Sequence, residues 1–227
     1  RQFNKPEVTA RLHPARLHRY ARAPPTVSGP IVMTKFLARL LIAATALIGV
    51  TAHAADAAAP AATASELENT LYLDLPAGRV VITLRPDLAP KHVARIKELS
   101  RQGFYNGLKF HRVIDGFMAQ TGDPTGTGAG GSGKNLPPEF STEHHVRGVL
   151  SMARAQAVDS ADSQFFIMFG PAPSLDGKYT IWGQVKSGME YVDAIKKGVT
   201  YDNGTVLGEP TKIVKMQVAA DVEKKAK

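Results

Sequence analysis

The sequence predicts a mainly β domain, an antiparallel barrel or sandwich with helical caps. Three observations carry this reading. Short β-branched or alternating segments recur through residues 67–219. Gly, Pro, Asn and Asp punctuate them as turns. Two stretches place apolar residues at helical spacing.

The elements follow in order. Leu71 to Leu75 alternates weakly, Pro76-Ala77-Gly78 turns the chain, and the β-branched run Arg79 to Leu84 returns as the hairpin's second strand. Ala89-Pro90 opens a helix, because proline suits a first turn whose N–H would be unpaired anyway. His92, Val93, Ile96 and Leu99 then repeat at helical spacing, and Gly103 ends the helix. Short strands are predicted at Lys109 to Val113, Met118 to Thr121, Gly148 to Met152, Gln164 to Met168 and Thr180 to Val185. A second short helix is expected over Met189 to Ile195, and a last alternating strand over Lys212 to Val218. No internal repeat is visible.

Composition narrows the function. The 227 residues contain no cysteine, which excludes a disulfide framework, thiolate metal sites and a cysteine nucleophile. A hydrophobic share of 44% excludes wholesale disorder. The net charge of +8 points at first to an anionic partner. Its distribution removes that reading: residues 1–54 hold eight basic residues against one acid, Glu7, and the remainder is close to neutral. No nucleic-acid partner is therefore expected.

The basic front has another explanation. Met33 is followed by a positive region, Lys35 and Arg39, and by the uncharged apolar run Leu40 to Val50. Ala52-His53-Ala54 is a small-x-small cleavage site. Residues 33–54 read as a secretory signal peptide cut after Ala54, and the run is too short for a stable membrane anchor, which takes about 20 residues. Residues 1–32 read as upstream sequence ahead of a start at Met33. Residues 55–66 are an Ala-rich flexible lead-in, 67–219 the folded domain, and 220–227 a charged, frayed tail. The expected destination is the periplasm.

Some apparent motifs lack their context. Gly126 to Gly131 matches a dinucleotide pattern, and Gly128 to Lys134 nearly matches a phosphate loop, but Asn135 replaces the Ser or Thr that binds magnesium. Both motifs must feed a helix, whereas Leu136-Pro137-Pro138 follows at once. The glycines read as a wide, pliable surface loop. His144-His145 reads as a solvated turn, since neighbours on an extended chain face opposite ways and chelate poorly.

The segment Phe110 to Gln120 is different. It places Arg112 among bulky apolar groups, with Gln120 close by. On strands, Arg112 and Ile114 share a face, as do Met118 and Gln120, and Gly116 lets the chain turn between them. An arginine cannot be buried alone, so it lies in a groove, paired or wet.

Here the sequence resembles the cyclophilin-type peptidyl-prolyl isomerases. The resemblance rests on FHRVIDGFMAQTGDPTGTGAGG at 110–131, SMARA at 151–155, SQFFI at 163–167 and LDGKY at 175–179. It spans about residues 69–219, with the blocks in order. It implies an eight-stranded antiparallel β-barrel capped by two α-helices, no cofactor, and rotation of X–Pro bonds in proline-containing polypeptides. Arg112 matches the catalytic arginine, and Gln120 is expected to act with it. Phe117, Met118, Phe166 and Leu175 match the walls of a proline pocket. Gln164 matches a polar lining group, Ala153 and Ala155 match a neighbouring subsite, and Arg154 supplies backbone groups that hold substrate. Tyr179 stands where many members carry histidine, and His111 matches a supporting histidine.

Three departures from the family pattern stand out. Ser174 occupies the place of a tryptophan that contacts cyclosporin-type inhibitors in some members, so weak binding of such inhibitors is expected. The loop from Gln156 to Asp162 is one residue longer than in the eukaryotic form, and Arg154 with Tyr179 follows a bacterial pattern. The expected product is a monomeric exported isomerase that assists folding. The alternative is a non-catalytic proline-binding module or holdase on the same fold.

Overall fold

A computed structural model describes residues 62–224. The expected upstream stretch, the signal segment and most of the Ala-rich lead-in lie outside the described residues. In chain order the elements are α1 Ala64–Glu68, β1 Thr70–Leu75, β2 Gly78–Leu84, α2 Pro90–Arg101, β3 Arg112–Ile114, β4 Met118–Thr121, β5 Val149–Met152, β6 Phe165–Met168, β7 Ile181–Ser187, α3 Met189–Asp193, β8 Lys215–Val218 and α4 Ala219–Glu223. Single 3-10 turns stand at Pro173–Leu175 and Thr200–Asp202.

The eight strands make one antiparallel sheet, ordered β3-β4-β6-β5-β7-β2-β1-β8. Its two ends are tied by the segments ahead of β3 and β8. The Gly107 and Phe110 amides donate to the Ile213 and Thr211 carbonyls, and the Ile213 amide returns a bond to Leu108. The predicted eight-stranded antiparallel barrel is the fold found.

Several boundaries move. Residues Lys109 to His111 were expected to belong to a strand, but they contribute the barrel-closing bridge Lys109–Lys212, and the paired strand starts at Arg112. The last strand likewise starts at Lys215 rather than Lys212. Two further short helices stand outside the expected domain limits. α1 begins inside the stretch read as flexible, because Thr63 and Glu66 form a reciprocal capping box. α4 runs through Glu223 in the stretch read as a frayed tail, where Asp221 pairs with Arg101 at 2.8 Å and Glu223 accepts from the Tyr72 hydroxyl. Among the described residues no helix is long and apolar enough to cross a membrane.

Helix α2 is anchored from a distance. Its N-cap, Ala89, offers no side-chain acceptor. The Glu139 carboxylate accepts instead from the Lys91 and His92 amides at 3.1 and 3.0 Å. A negative group suits the positive end of the helix.

The period of two along the strands builds two apolar clusters. Leu71, Leu73, Val80, Ile82, Phe165, Ile167 and Trp182 point into the barrel, where they meet Ile96 and Leu99 of α2. Phe166 and Met168 of the same β6 point out, with Met118, Val149 and Ile181, and make a second cluster on the outer face. Every residue of β5 and β6 is therefore buried. The outer cluster is roofed in part by Phe117, Leu175 and Tyr179, and it forms the floor of the site.

Candidate active site

The site starts from the β3–β4 hairpin. Gly116 turns it with φ 70°, a left-handed conformation that glycine adopts without strain. Register pairs Arg112 with Gln120 and Ile114 with Met118. The next strand continues the rows, Gln120 opposite Phe166 and Met118 opposite Met168. Arg112, Gln120, Phe166 and Met118 thus share the outer face because the side-chain period is two.

Neutral acceptors hold the Arg112 guanidinium. Nη1 donates to Gln120 Oε1 at 3.2 Å, Nε to the Asn203 carbonyl at 3.1 Å, and Nη2 to Asn203 Oδ1 at 2.9 Å. A guanidinium has five N–H groups, so one on Nη2 stays free and one on Nη1 faces the Met118 sulfur at 4.0 Å. Burial pulls the Arg112 pKa somewhat below its usual value. It remains charged, since arginine loses its proton only far above neutral pH.

The two glutamines form a one-way relay. Gln164 Nε2 donates to the Gly128 and Gly130 carbonyls at 2.9 and 2.8 Å. Its Oε1 therefore faces Gln120 and accepts from Nε2 there at 2.9 Å. That leaves Gln120 Oε1 turned to Arg112. Gln120, expected to act with the arginine, thus bonds to it directly and lies between it and Gln164.

Beside Arg112 lies a concavity of about 240 Å³, lined by Arg112, Phe117, Met118, Gln120, Ala153, Arg154, Phe166, Leu175 and Tyr179. The apolar walls come from the β3–β4 hairpin, the end of β5, β6 and the segment Leu175 to Tyr179. A second hollow of about 270 Å³ adjoins it and includes Ala155 and Gln164 with Ser160 and Asp162. The Arg154 side chain is turned aside: its guanidinium stacks 4.8 Å above the Tyr179 ring and donates to the Lys178, Ala155 and Gln156 carbonyls. The Arg154 amide and carbonyl have no partner among the described residues. They are free to pair with an extended peptide.

The glycine loop beside the second hollow is pinned rather than pliable. Asp123 is 1% exposed, and it accepts from the Thr125, Thr127 and Gly128 amides at 2.7, 3.0 and 2.6 Å. Burial works against its charge, but the bonds from Thr125, Gly130 and Gly128 prevail and hold its pKa well below the carboxylate range. His111 packs beneath this loop. Burial lowers its pKa, and neither ring nitrogen has a hydrogen-bond partner.

Comparison with known proteins identifies the arrangement. The family profile described as "Cyclophilin type peptidyl-prolyl cis-trans isomerase/CLD" matches residues 70–218. The chain belongs to the cyclophilin-type peptidyl-prolyl cis-trans isomerases. A "Probable peptidyl-prolyl cis-trans isomerase" of Brucella suis is 53% identical over 174 residues, covering 71% of this chain and 88% of that protein. The rat "Peptidyl-prolyl cis-trans isomerase-like 3" is 45% identical over 133 residues, 56% of this chain and 81% of the relative. Among solved structures, a Cryptosporidium parvum cyclophilin-type isomerase determined in the presence of the dipeptide Ala-Pro aligns with a TM-score of 0.61 at 30% identity, covering 66% of this chain and 98% of that one. The protein is therefore an isomerase.

Two parts of this cyclophilin-type site escaped the sequence reading. Asn203 lies 91 residues from Arg112 and looks like an ordinary turn residue, yet it makes two of the arginine's bonds. His145 is the second. It was read with His144 as a solvated turn, but the pair splits: His144 is exposed and His145 is 1% exposed. The His145 ring stacks under Phe166 at 6.2 Å and meets Tyr179 edge-on. Its nitrogens lie 2.9 Å from Asp176 Oδ1 and 3.1 Å from Ser151 Oγ. The opposite-faces argument applied to chelation also implies that one histidine points inward.

Proposed function

We propose that this isomerase is exported and rotates X–Pro bonds in newly exported polypeptides, with Arg112 as the catalytic residue and Phe117, Met118, Phe166 and Leu175 holding the proline ring. One observation carries the assignment: a guanidinium with an unpaired N–H on Nη2 sits at the rim of a concavity whose wall includes Phe117, Met118, Phe166 and Leu175. The X–Pro amide resists rotation by roughly 18–20 kcal/mol through resonance, and uncatalysed exchange takes tens to hundreds of seconds. No bond is made or broken. The pocket holds the ring while the preceding residue rotates. As the amide twists, its nitrogen regains a lone pair, and Arg112 donates to it. That contact is stronger in the twisted state than in the planar one, which is what lowers the barrier.

The Arg154 backbone supports extended binding of the substrate chain, and Ala153 and Ala155 leave the adjoining hollow open to a neighbouring side chain. Export rests on the signal-like segment 33–54 and fits a cysteine-free chain working in an oxidising compartment. Ser174 is exposed on the 3-10 turn ahead of Leu175, and with serine there a cyclosporin-type inhibitor lacks a large apolar contact. Titration is expected to give weak binding of such an inhibitor; tight binding contradicts this part.

Fractionation of the producing cells, combined with a refolding assay, tests the proposal. The expected result is a processed chain in the periplasm that accelerates the proline-limited phase of a slowly refolding protein. A full-length chain retained in the cytosol, or a refolding phase left unchanged, overturns it.

A further inference from the structure

The seven described arginines divide into two groups. Arg79, Arg85, Arg95, Arg101 and Arg147 each pair with a carboxylate. Arg112 and Arg154, the two that line the site, bond to neutral groups instead. For Arg112 the decisive neighbour is Asn203. Its place is costly to fill. Asn203 has φ 48°, and among the described residues it is the single non-glycine with positive φ. Asparagine and aspartate tolerate this region better than other side-chain-bearing residues. Glycine tolerates it freely but brings no side-chain acceptor.

The position is also referenced rigidly to the arginine. Gly204 follows, is buried, and accepts from the Val113 amide at 2.7 Å. The Gly198 amide donates to the Val113 carbonyl at 2.8 Å, and the Val206 amide to the His111 carbonyl at 3.1 Å. The loop carrying Asn203 is thus stitched to both neighbours of Arg112. A Cβ at Gly204 would strike Ile114, so glycine is what lets the loop pack this closely against β3.

We infer that Asn203 is a positioning residue that fixes the Arg112 guanidinium through two neutral acceptors and so leaves its full positive charge for the rotating bond. The inference rests on Arg112 acting as the proposed catalytic group. A carboxylate in this place would hold the same geometry with stronger bonds. It would also satisfy the guanidinium electrostatically and weaken its pull on the prolyl nitrogen. Asparagine supplies the geometry without that loss. The neutral Gln120 amide serves the other side in the same way.

The test compares Asn203→Asp, Asn203→Gly and Arg112→Ala in the full chain, with magnetisation exchange on an X–Pro peptide giving kcat and KM separately. Both Asn203 variants suit the left-handed backbone and are expected to fold with little change in Tm. Asn203→Asp is expected to lower kcat about tenfold with KM within about twofold, the pattern of a lost transition-state contact. Asn203→Gly is expected to lower kcat about threefold and to broaden the Arg112 Nε–H resonance. A purely structural role predicts the reverse order, since the aspartate makes the stronger bonds. Unchanged kcat in Asn203→Asp overturns the inference alone when Arg112→Ala is inactive. Full activity in Arg112→Ala overturns the reading beneath it as well.

Discussion

At the scale of single residues, the site separates chemistry from support. Arg112 carries the charge, and Gln120, Gln164 and Asn203 set its direction. Truncating Gln120 removes one acceptor and breaks the relay to the glycine-loop carbonyls. Gln120→Ala is expected to lower kcat/KM by about tenfold, mostly through kcat, in the peptide exchange assay. An effect confined to KM would show instead that Gln120 binds the substrate. Arg112 and Gln120 were legible through the family resemblance of the segment Phe110 to Gln120, and the strand register then places them opposite each other. Asn203 was not legible, since no local pattern reports a partner 91 residues away. His145 was half legible: alternation separates it from His144, but burial under Phe166 depends on how the chain returns from Leu175 to Tyr179.

At the scale of elements, loops do much of the positioning. The long helix and the first hairpin follow from period and turn chemistry, whereas the strand order, with its non-consecutive neighbours, does not. The shifted strand starts at Arg112 and Lys215 do not, because residues 107–110 and 211–213 meet across the closing barrel and meet too briefly for a ladder. The capping box that starts α1 was written locally as Thr63 and Glu66. The glycine loop was read as pliable from its composition, and its rigidity comes from one buried carboxylate. Asp123→Ala removes the acceptor for three backbone amides and is expected to cost about 1–3 kcal/mol, or several degrees in Tm by calorimetry. The same variant frees the Gly128 and Gly130 carbonyls that hold Gln164, so activity is expected to fall at temperatures where the chain remains folded. Unchanged Tm would show that the loop is held by other contacts.

At the scale of the whole molecule, a closed barrel carries the site on its outer face, over a second apolar cluster. Buried histidines couple that arrangement to pH. Burial lowers the pKa of both His111 and His145 below 6.5, and the Asp176 carboxylate only partly offsets it for His145. The unfolded chain then binds more protons below that value, so stability is lost as pH falls through it. Asp176 adds a second loss under stronger acid: the His145 amide, His144 and the His145 ring depress its pKa below 3.8, and its contribution fades as it becomes protonated. Tm is expected to be flat above about pH 7 and to fall below about pH 6. A Tm constant down to pH 5 would mean that the histidines titrate normally. The account as a whole stands on Arg112, and the most direct measurement is the rate of X–Pro exchange in a peptide with wild-type protein and with Arg112→Ala. The account predicts a folded variant whose kcat/KM is lower by about 100- to 1,000-fold. A folded Arg112→Ala protein with wild-type exchange rates would contradict it.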